Sequence, residues 1–149
     1  MDRTNKPSAV DEIVRAYTNG EAIRAWEFMG SHAQERDGQW GYTFRVWAPH
    51  AAEVSVVGDF NRWEEEANPL SPIGGGLWEG FVPGLDRYDI YKYSIRTKDG
   101  RTLLKADPYA FHAETRPGTA SKLYELGSYQ WNDQSWLDYR KKNPIYHRP

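Results

Sequence analysis

The chain has 149 residues, a length that suits one domain around a single core and excludes a large multidomain enzyme. Its 19 Lys and Arg against 21 Asp and Glu leave a formal charge of −2, too little to supply the field that dominates nucleic-acid binding, so nucleic acid is not an expected partner. With no cysteine, neither a disulfide framework nor a thiolate metal site is available, and a packed core has to hold the fold.

The first seven residues, Met1 to Pro7, carry no apolar run of the kind a secretory leader needs. Nothing later approaches the roughly 18 consecutive apolar residues of a membrane span, so the expectation is a cytoplasmic protein with no membrane partner. Aromatic residues are the outstanding feature: 7 Trp, 10 Tyr and 5 Phe make up 15% of the chain. Rings at that density fit a β-sandwich core, or a surface that stacks on flat ligands such as sugars, or both.

In chain order, Ser8 followed by Asp11 forms a capping signal, and Ile13, Val14 and Tyr17 recur at helical spacing before Thr18-Asn19-Gly20. A second short helix is expected over Glu21 to Met29, with Ala22, Ala25, Trp26 and Met29 on one stripe and Gly30 as its stop. Ser31 to Gln39 is polar and reads as a linker, so residues 1–38 form a helical amino-terminal segment.

From Gly41 the apolar period changes to two. Tyr42, Phe44 and Val46 alternate with polar or outward positions, and Val54 and Val56 repeat the pattern up to Gly58. A polar loop from Asp59 to Asn68 carries Phe60 and Trp63. The glycine run Gly74-Gly75-Gly76 turns the chain into Leu77 to Val82, and Pro83-Gly84 turns it again. Arg87 to Arg96 is the longest strand, with Tyr91, Tyr93 and Ile95 sharing a face. Asp99-Gly100 marks a hairpin into Thr102 to Lys105, and Ser121 to Leu126 is the last strand. Short strands at this spacing without intervening helices define the expected fold: an all-β, immunoglobulin-like antiparallel sandwich over residues 39–128.

Catalytic constellations are absent from this reading. The acids lie on turns (Asp59, Asp86, Asp99) or in the run Glu64-Glu65-Glu66, not as a fixed pair across a cleft, and His32, His50, His112 and His147 lack metal-ligand spacing. The chain is therefore expected to be non-catalytic and to need no metal or cofactor. Trp63 carries two readings. Its indole either stacks on the flat apolar face of a glucose ring or anchors its own loop by packing. Trp47 and Trp78 sit in strand runs, where core or interface roles are the default.

The runs Tyr42-Thr43-Phe44-Arg45-Val46-Trp47-Ala48-Pro49 and Val54 to Trp63 resemble the family 48 carbohydrate-binding module that precedes the barrel of family 13 glycosyl hydrolases. Lys105-Ala106-Asp107-Pro108-Tyr109-Ala110-Phe111 and Arg116-Pro117-Gly118-Thr119-Ala120-Ser121 are similar to the corresponding stretch of bacterial glycogen branching enzymes. That likeness implies a module that holds or orients α-1,4-glucan (glycogen or starch-like) chains and supports a catalytic barrel, with residues 129–149 as the linker toward that absent barrel. Trp26, Trp131 and Trp136 would then cover the module or face the barrel.

Similarity to the glycogen-binding module of the AMP-activated kinase β subunit implies Trp63 as the stacking platform and Lys92 as its hydroxyl-directed partner. Asn61, Thr119 and Ser121 are implied as polar groups on the rim. Where that module has a second tryptophan after its Asp-Gly turn, this chain has Arg101 and Thr102, which predicts an affinity lower by about 2 kcal/mol, the typical weight of a hot-spot aromatic. The alternatives are a structural module with little sugar binding, or the amino-terminal module of a debranching or trehalose-forming relative.

Overall fold

The computed structural model describes residues 8–127 and 130–144; the stretch Met1 to Pro7 and His147 lie outside the described residues. Helix α1 (Ala9–Thr18) begins at a reciprocal cap, in which the Asp11 N–H donates to Ser8 Oγ at 3.2 Å and the Ser8 N–H donates to Asp11 Oδ2 at 3.0 Å. The hydrogen bonds from Ser8 also hold the Asp11 carboxyl below its ordinary range.

Nine strands follow among the described residues: β1 (Gly30–Arg36), β2 (Gln39–Trp47), β3 (Ala51–Gly58), β4 (Ser71–Gly74), β5 (Leu77–Pro83), β6 (Ile90–Thr97), β7 (Thr102–Lys105), β8 (His112–Ala113) and β9 (Ser121–Lys122). A last helix, α2 (Gln134–Lys142), lies in the stretch expected to be a linker. One sheet has the order β1-β2-β5-β4, the other β3-β6-β9-β8 with β7 also pairing β6, and every pairing is antiparallel. The two sheets share one core, so the fold is the expected immunoglobulin-like sandwich.

Alternation explains which rings meet inside. Tyr42, Phe44 and Val46 of β2 face Val54 and Val56 of β3 and Tyr91 and Tyr93 of β6, and all are buried. Phe44 meets Tyr91 edge-on with centroids 5.1 Å apart. Each fully buried aliphatic or aromatic side chain here contributes roughly 1.5–3 kcal/mol relative to exposure.

Three local expectations are corrected. The second helix is only a single 3-10 turn over Ala25–Glu27. Ahead of it the N–H groups of Glu21 and Ala22 fold back onto Ala16 O, Met29 drops into the interior and Ile23 is left in solvent, so no continuous helical stripe can form. The polar stretch Ser31 to Gln39 is not a linker: Gly30–Arg36 pairs along its whole length with β2, from Gly30↔Arg45 to Arg36↔Gln39. It is an edge strand, which needs backbone pairing but no apolar alternation. The final strand is short, Ser121–Lys122, although Leu123 beyond it still fills the core.

A buried carboxylate ties the two sheets and the amino-terminal segment together. Asp107 Oδ2 accepts from the Tyr91 hydroxyl at 2.6 Å and from the Tyr93 hydroxyl at 3.2 Å, while Oδ1 accepts from the Tyr109 N–H at 2.8 Å. The Tyr91 hydroxyl also lies 3.1 Å from Ser31 Oγ on β1, and the Asp107 N–H donates to Ser121 Oγ at 2.9 Å. Gly30, at φ +89°, passes so close that a β-carbon there would sit 3.0 Å from Tyr109 Cβ. Burial pushes the Asp107 carboxyl up, and its four offsetting partners, Tyr91, the Tyr109 N–H, Tyr93 and His32, only partly reverse this. Burial, and then the Asp107 charge, push both tyrosine hydroxyls far above their ordinary range.

Two outcomes follow from this network. Asp107→Ala removes the closest acceptor of two interior hydroxyls, leaving Tyr91 with Ser31 Oγ at 3.1 Å and Tyr93 with Arg45 O at 3.4 Å, and is expected to cost about 3 kcal/mol in a urea titration. Tyr91 and Tyr93 hold their protons longer in the folded state, so the stability they contribute is fully present below the unfolded tyrosine value of about 10 and is lost as pH rises beyond it. Stability measured above pH 10 should fall less steeply in Tyr91→Phe than in the parent chain.

Candidate functional site

Strand β3 ends at Gly58, and the chain then makes a 3-10 turn over Asp59–Asn61. Arg62 (φ +57°) and Trp63 (φ +61°) follow in the left-handed region, an unfavourable conformation for bulky side chains that persists only where neighbours over-determine it. Here they do. The Trp63 N–H donates to Gly58 O at 2.9 Å, and the Arg62 N–H to Asp59 O at 3.2 Å. The Asn61 side chain accepts from the Gly58 N–H at 2.9 Å and donates to Val56 O at 2.9 Å and Asn68 Oδ1 at 2.8 Å.

The indole of Trp63 is half-buried and its Nε1–H donates to Asp59 Oδ1 at 2.8 Å, which fixes the direction of the ring. A hollow of about 180 Å³, lined by Phe60, Asn61, Arg62, Glu64 and Ala67, lies in the same loop. Phe60 packs against the core beneath.

The register of β3 and β6 pairs Val57 with Lys92 and Gly58 with Tyr91. Because Tyr91 and Tyr93 point inward, Lys92 between them lies on the outer face of the second sheet. Its Nζ donates to Thr119 Oγ1 at 2.7 Å. Trp63, Lys92 and Thr119 are thus brought to one region: the end of β3, the strand beside it, and the segment entering β9.

Two predicted site residues are placed otherwise. Ser121 is 1% exposed and its hydroxyl serves Asp107, so it is an interior residue and not a rim group. Asn61 stands two positions before Trp63, but its amide is committed to the backbone at the end of β3 and to Asn68. The residue the sequence reading missed is Asp59, whose only signal is its place four positions ahead of Trp63. At the turn where the kinase module carries its second tryptophan, Arg101 is exposed and pairs through Nε with Asp99 Oδ2 at 2.8 Å.

The other tryptophans divide. Trp78 is half-buried, packs on the core and donates from Nε1 to Ala48 O at 3.1 Å, as its strand position suggested. Trp47 is 52% exposed, with its Nε1–H on Gly75 O at 3.2 Å. Trp26 and Trp136 are also largely exposed.

Topology and core define the molecule as an immunoglobulin-like β-sandwich module. The chain belongs to the carbohydrate-binding module 48 (isoamylase N-terminal domain) family, which matches residues 28–110. It is 43% identical over 144 residues to the 1,4-alpha-glucan branching enzyme GlgB of Bacillus subtilis (strain 168), covering 96% of this chain and 23% of that protein. Against the GlgB of Halothermothrix orenii (strain H 168 / OCM 544 / DSM 9562) it is 46% identical over 134 residues, covering 89% and 21%. The chain therefore spans less than a quarter of the length of these relatives. Among solved structures, the pullulanase complexed with maltotetraose from Anoxybacillus sp. LM18-11 superimposes with a TM-score of 0.54 at 24% identity, over 75% of this chain and 16% of that one. The pullulanase from Paenibacillus barengoltzii in complex with maltohexaose and alpha-cyclodextrin gives a TM-score of 0.54 at 19% identity, over 74% and 18%. At these identities the likeness is one of fold.

Because Asn61 makes three hydrogen bonds that tie the loop to the end of β3 and to Asn68, Asn61→Ala is expected to cost about 2 kcal/mol by urea unfolding. Removing the Trp63 ring should cost well under that, since the indole is not part of the core.

Proposed function

We propose that this chain is the non-catalytic α-glucan-binding module of a 1,4-alpha-glucan branching enzyme acting in glycogen synthesis in the cytoplasm. It holds glycogen or starch-like chains and supports the enzyme's catalytic barrel. The observation that carries this reading is the Trp63 indole, half-exposed on a strained loop and aimed by Asp59, where that loop leaves the strand paired with the one bearing Lys92, whose Nζ meets Thr119. A glucose ring offers a flat C–H face to the indole while its hydroxyls meet an ammonium and a hydroxyl, a pairing of apolar platform and convergent polar groups that suits sugars. Family membership and the GlgB relatives support the substrate class. Ligand chemistry of this kind requires neither metal nor cofactor.

A second reading, a mainly structural module, draws on a different surface. Trp26, Phe111, Tyr124 and Leu126 line a hollow of about 440 Å³ with His32 and Glu125, beside the point where the chain leaves the sandwich. A barrel domain packed there would cover it, and the same module can serve both purposes.

Calorimetry with maltoheptaose separates the two. The sugar-binding reading expects Trp63→Ala to weaken binding by at least about 2 kcal/mol, or roughly 30-fold, and Lys92→Ala by a smaller factor, with thermal stability retained. Unchanged affinity in Trp63→Ala, or no binding of the folded parent at millimolar sugar, gives the structural reading the module.

A further inference from the structure

Besides Trp63, one other aromatic residue among the described residues holds a left-handed backbone: Tyr88, at φ +74°. It is 51% exposed, and its ring belongs to a surface cluster assembled from three separate segments. Tyr88 meets His112 at 5.6 Å and Tyr124 at 5.9 Å between centroids, and His112 meets Tyr124 at 5.7 Å. The Arg87 guanidinium lies 4.9 Å over the Tyr124 ring and pairs with Glu125 at 2.8 Å. Neither the core nor the Asp107 network uses these rings, and three aromatics with a guanidinium and a carboxylate at their margin are the makings of a sugar platform.

Their place on the sheet relates them to Trp63. Ser121 and Leu123 point inward, so Lys122 between them faces out, level with Ile90 on one side and His112 on the other. The Tyr88 N–H donates to Leu123 O at 2.9 Å, which holds its backbone against the same strand. The outer face of the second sheet therefore runs from the Trp63 loop, where Val57 is fully covered, to the accessible Lys92, Lys122 and His112, crossing β3, β6, β9 and β8 in order. Three strand spacings of ~4.8 Å make this path about 14 Å long.

We propose that Tyr88, His112 and Tyr124 form a second stacking subsite, which takes later glucose units of the same α-glucan chain that seats on Trp63. The proposal rests on the reading of Trp63 as the first platform. Lys92 and Lys122 along the path would meet hydroxyls between the two platforms. A linear chain of several rings engages both ends, whereas a trisaccharide seated on Trp63 falls short of Tyr88. The module then selects for chain length, because the second contact is made within an already bound chain.

The test compares maltotriose and maltoheptaose by calorimetry on the chain itself, in three variants: Trp63→Ala, Tyr88→Asn and Tyr124→Leu. Asparagine accepts the left-handed backbone, so Tyr88→Asn removes the ring without adding strain. Tyr124→Leu removes a ring from another segment and leaves the Tyr88 backbone untouched. The expected result is that each tyrosine variant weakens maltoheptaose roughly tenfold and changes maltotriose less than twofold, while Trp63→Ala weakens both sugars. Maltoheptaose affinity unchanged in both tyrosine variants overturns the second subsite and leaves Trp63 standing. Equal losses for both sugars overturn the single-chain path. Unaltered binding in Trp63→Ala overturns the first platform, and with it the path that starts there.

Discussion

A carboxylate taken out of water has to be repaid by hydrogen bonds, and in this molecule the settlement of Asp107 decides how the parts fit. Its acceptors take the hydroxyls of Tyr91 and Tyr93 from the central strand of one sheet, and through Tyr91 they reach Ser31 on the edge strand of the other. The same residue positions Tyr109 against Gly30 and binds Ser121 through its N–H. Because the donors come from the second sheet and the segment between β7 and β9, and Ser31 of the first sheet joins through Tyr91, the network fixes their mutual placement better than apolar packing alone, which tolerates sliding. The outer face of the second sheet inherits that rigidity: Tyr91 directly precedes Lys92 and directly opposes Gly58, where the Trp63 loop begins.

A second constraint acts at the same end of β1, where Gly30 pairs with Arg45. The Arg45 guanidinium bonds Glu79 at 2.7 Å across the sheet, lies 4.1 Å over the Phe28 ring and donates to Phe28 O at 3.2 Å. The amino-terminal segment is thereby held on the first sheet, away from Lys92 and Thr119. Helix α1 packs beside the bare glycines of the β4 turn, where a β-carbon on Gly75 would collide with Thr18. One sheet thus carries the amino-terminal attachments, while on the outer face of the other Ser55, Val57 and Ser94 are covered and Lys92, Lys122 and His112 stay accessible.

Much of the fold could be read from the residues. Tyr42, Phe44 and Val46 announce their strand by alternation, as do Val54 and Val56, because the pattern reflects a face buried in the core. Strand β1 could not be read that way: Ser31 to Arg36 is mostly polar, and what makes it a strand is the backbone of β2 offered along its length. The site shows the same division. Sequence likeness points to Trp63, Lys92 and Thr119, which the register brings together. It also points to Asn61 and Ser121, whose polar atoms are spent on the loop and on Asp107, since a residue type does not disclose which way its hydrogen bonds run. The cluster of Tyr88, His112 and Tyr124 left no local trace because its members are separated by 24 and 12 positions and meet only through pairing of β8 and β9 beside the Tyr88 backbone.

The central claim is that α-glucan lies on the outer face of the second sheet with Trp63 as its anchor. Amide and indole chemical shifts followed by NMR during a maltoheptaose titration test it most directly, because the Trp63 indole N–H sits in its own hydrogen bond to Asp59. The account predicts saturable shifts at the Trp63 indole and at the amides of Lys92, Thr119 and Lys122, with the Trp26 and Trp47 indoles unmoved. Shifts confined to the Trp26 and Phe111 hollow, or none at any sugar concentration, would contradict it.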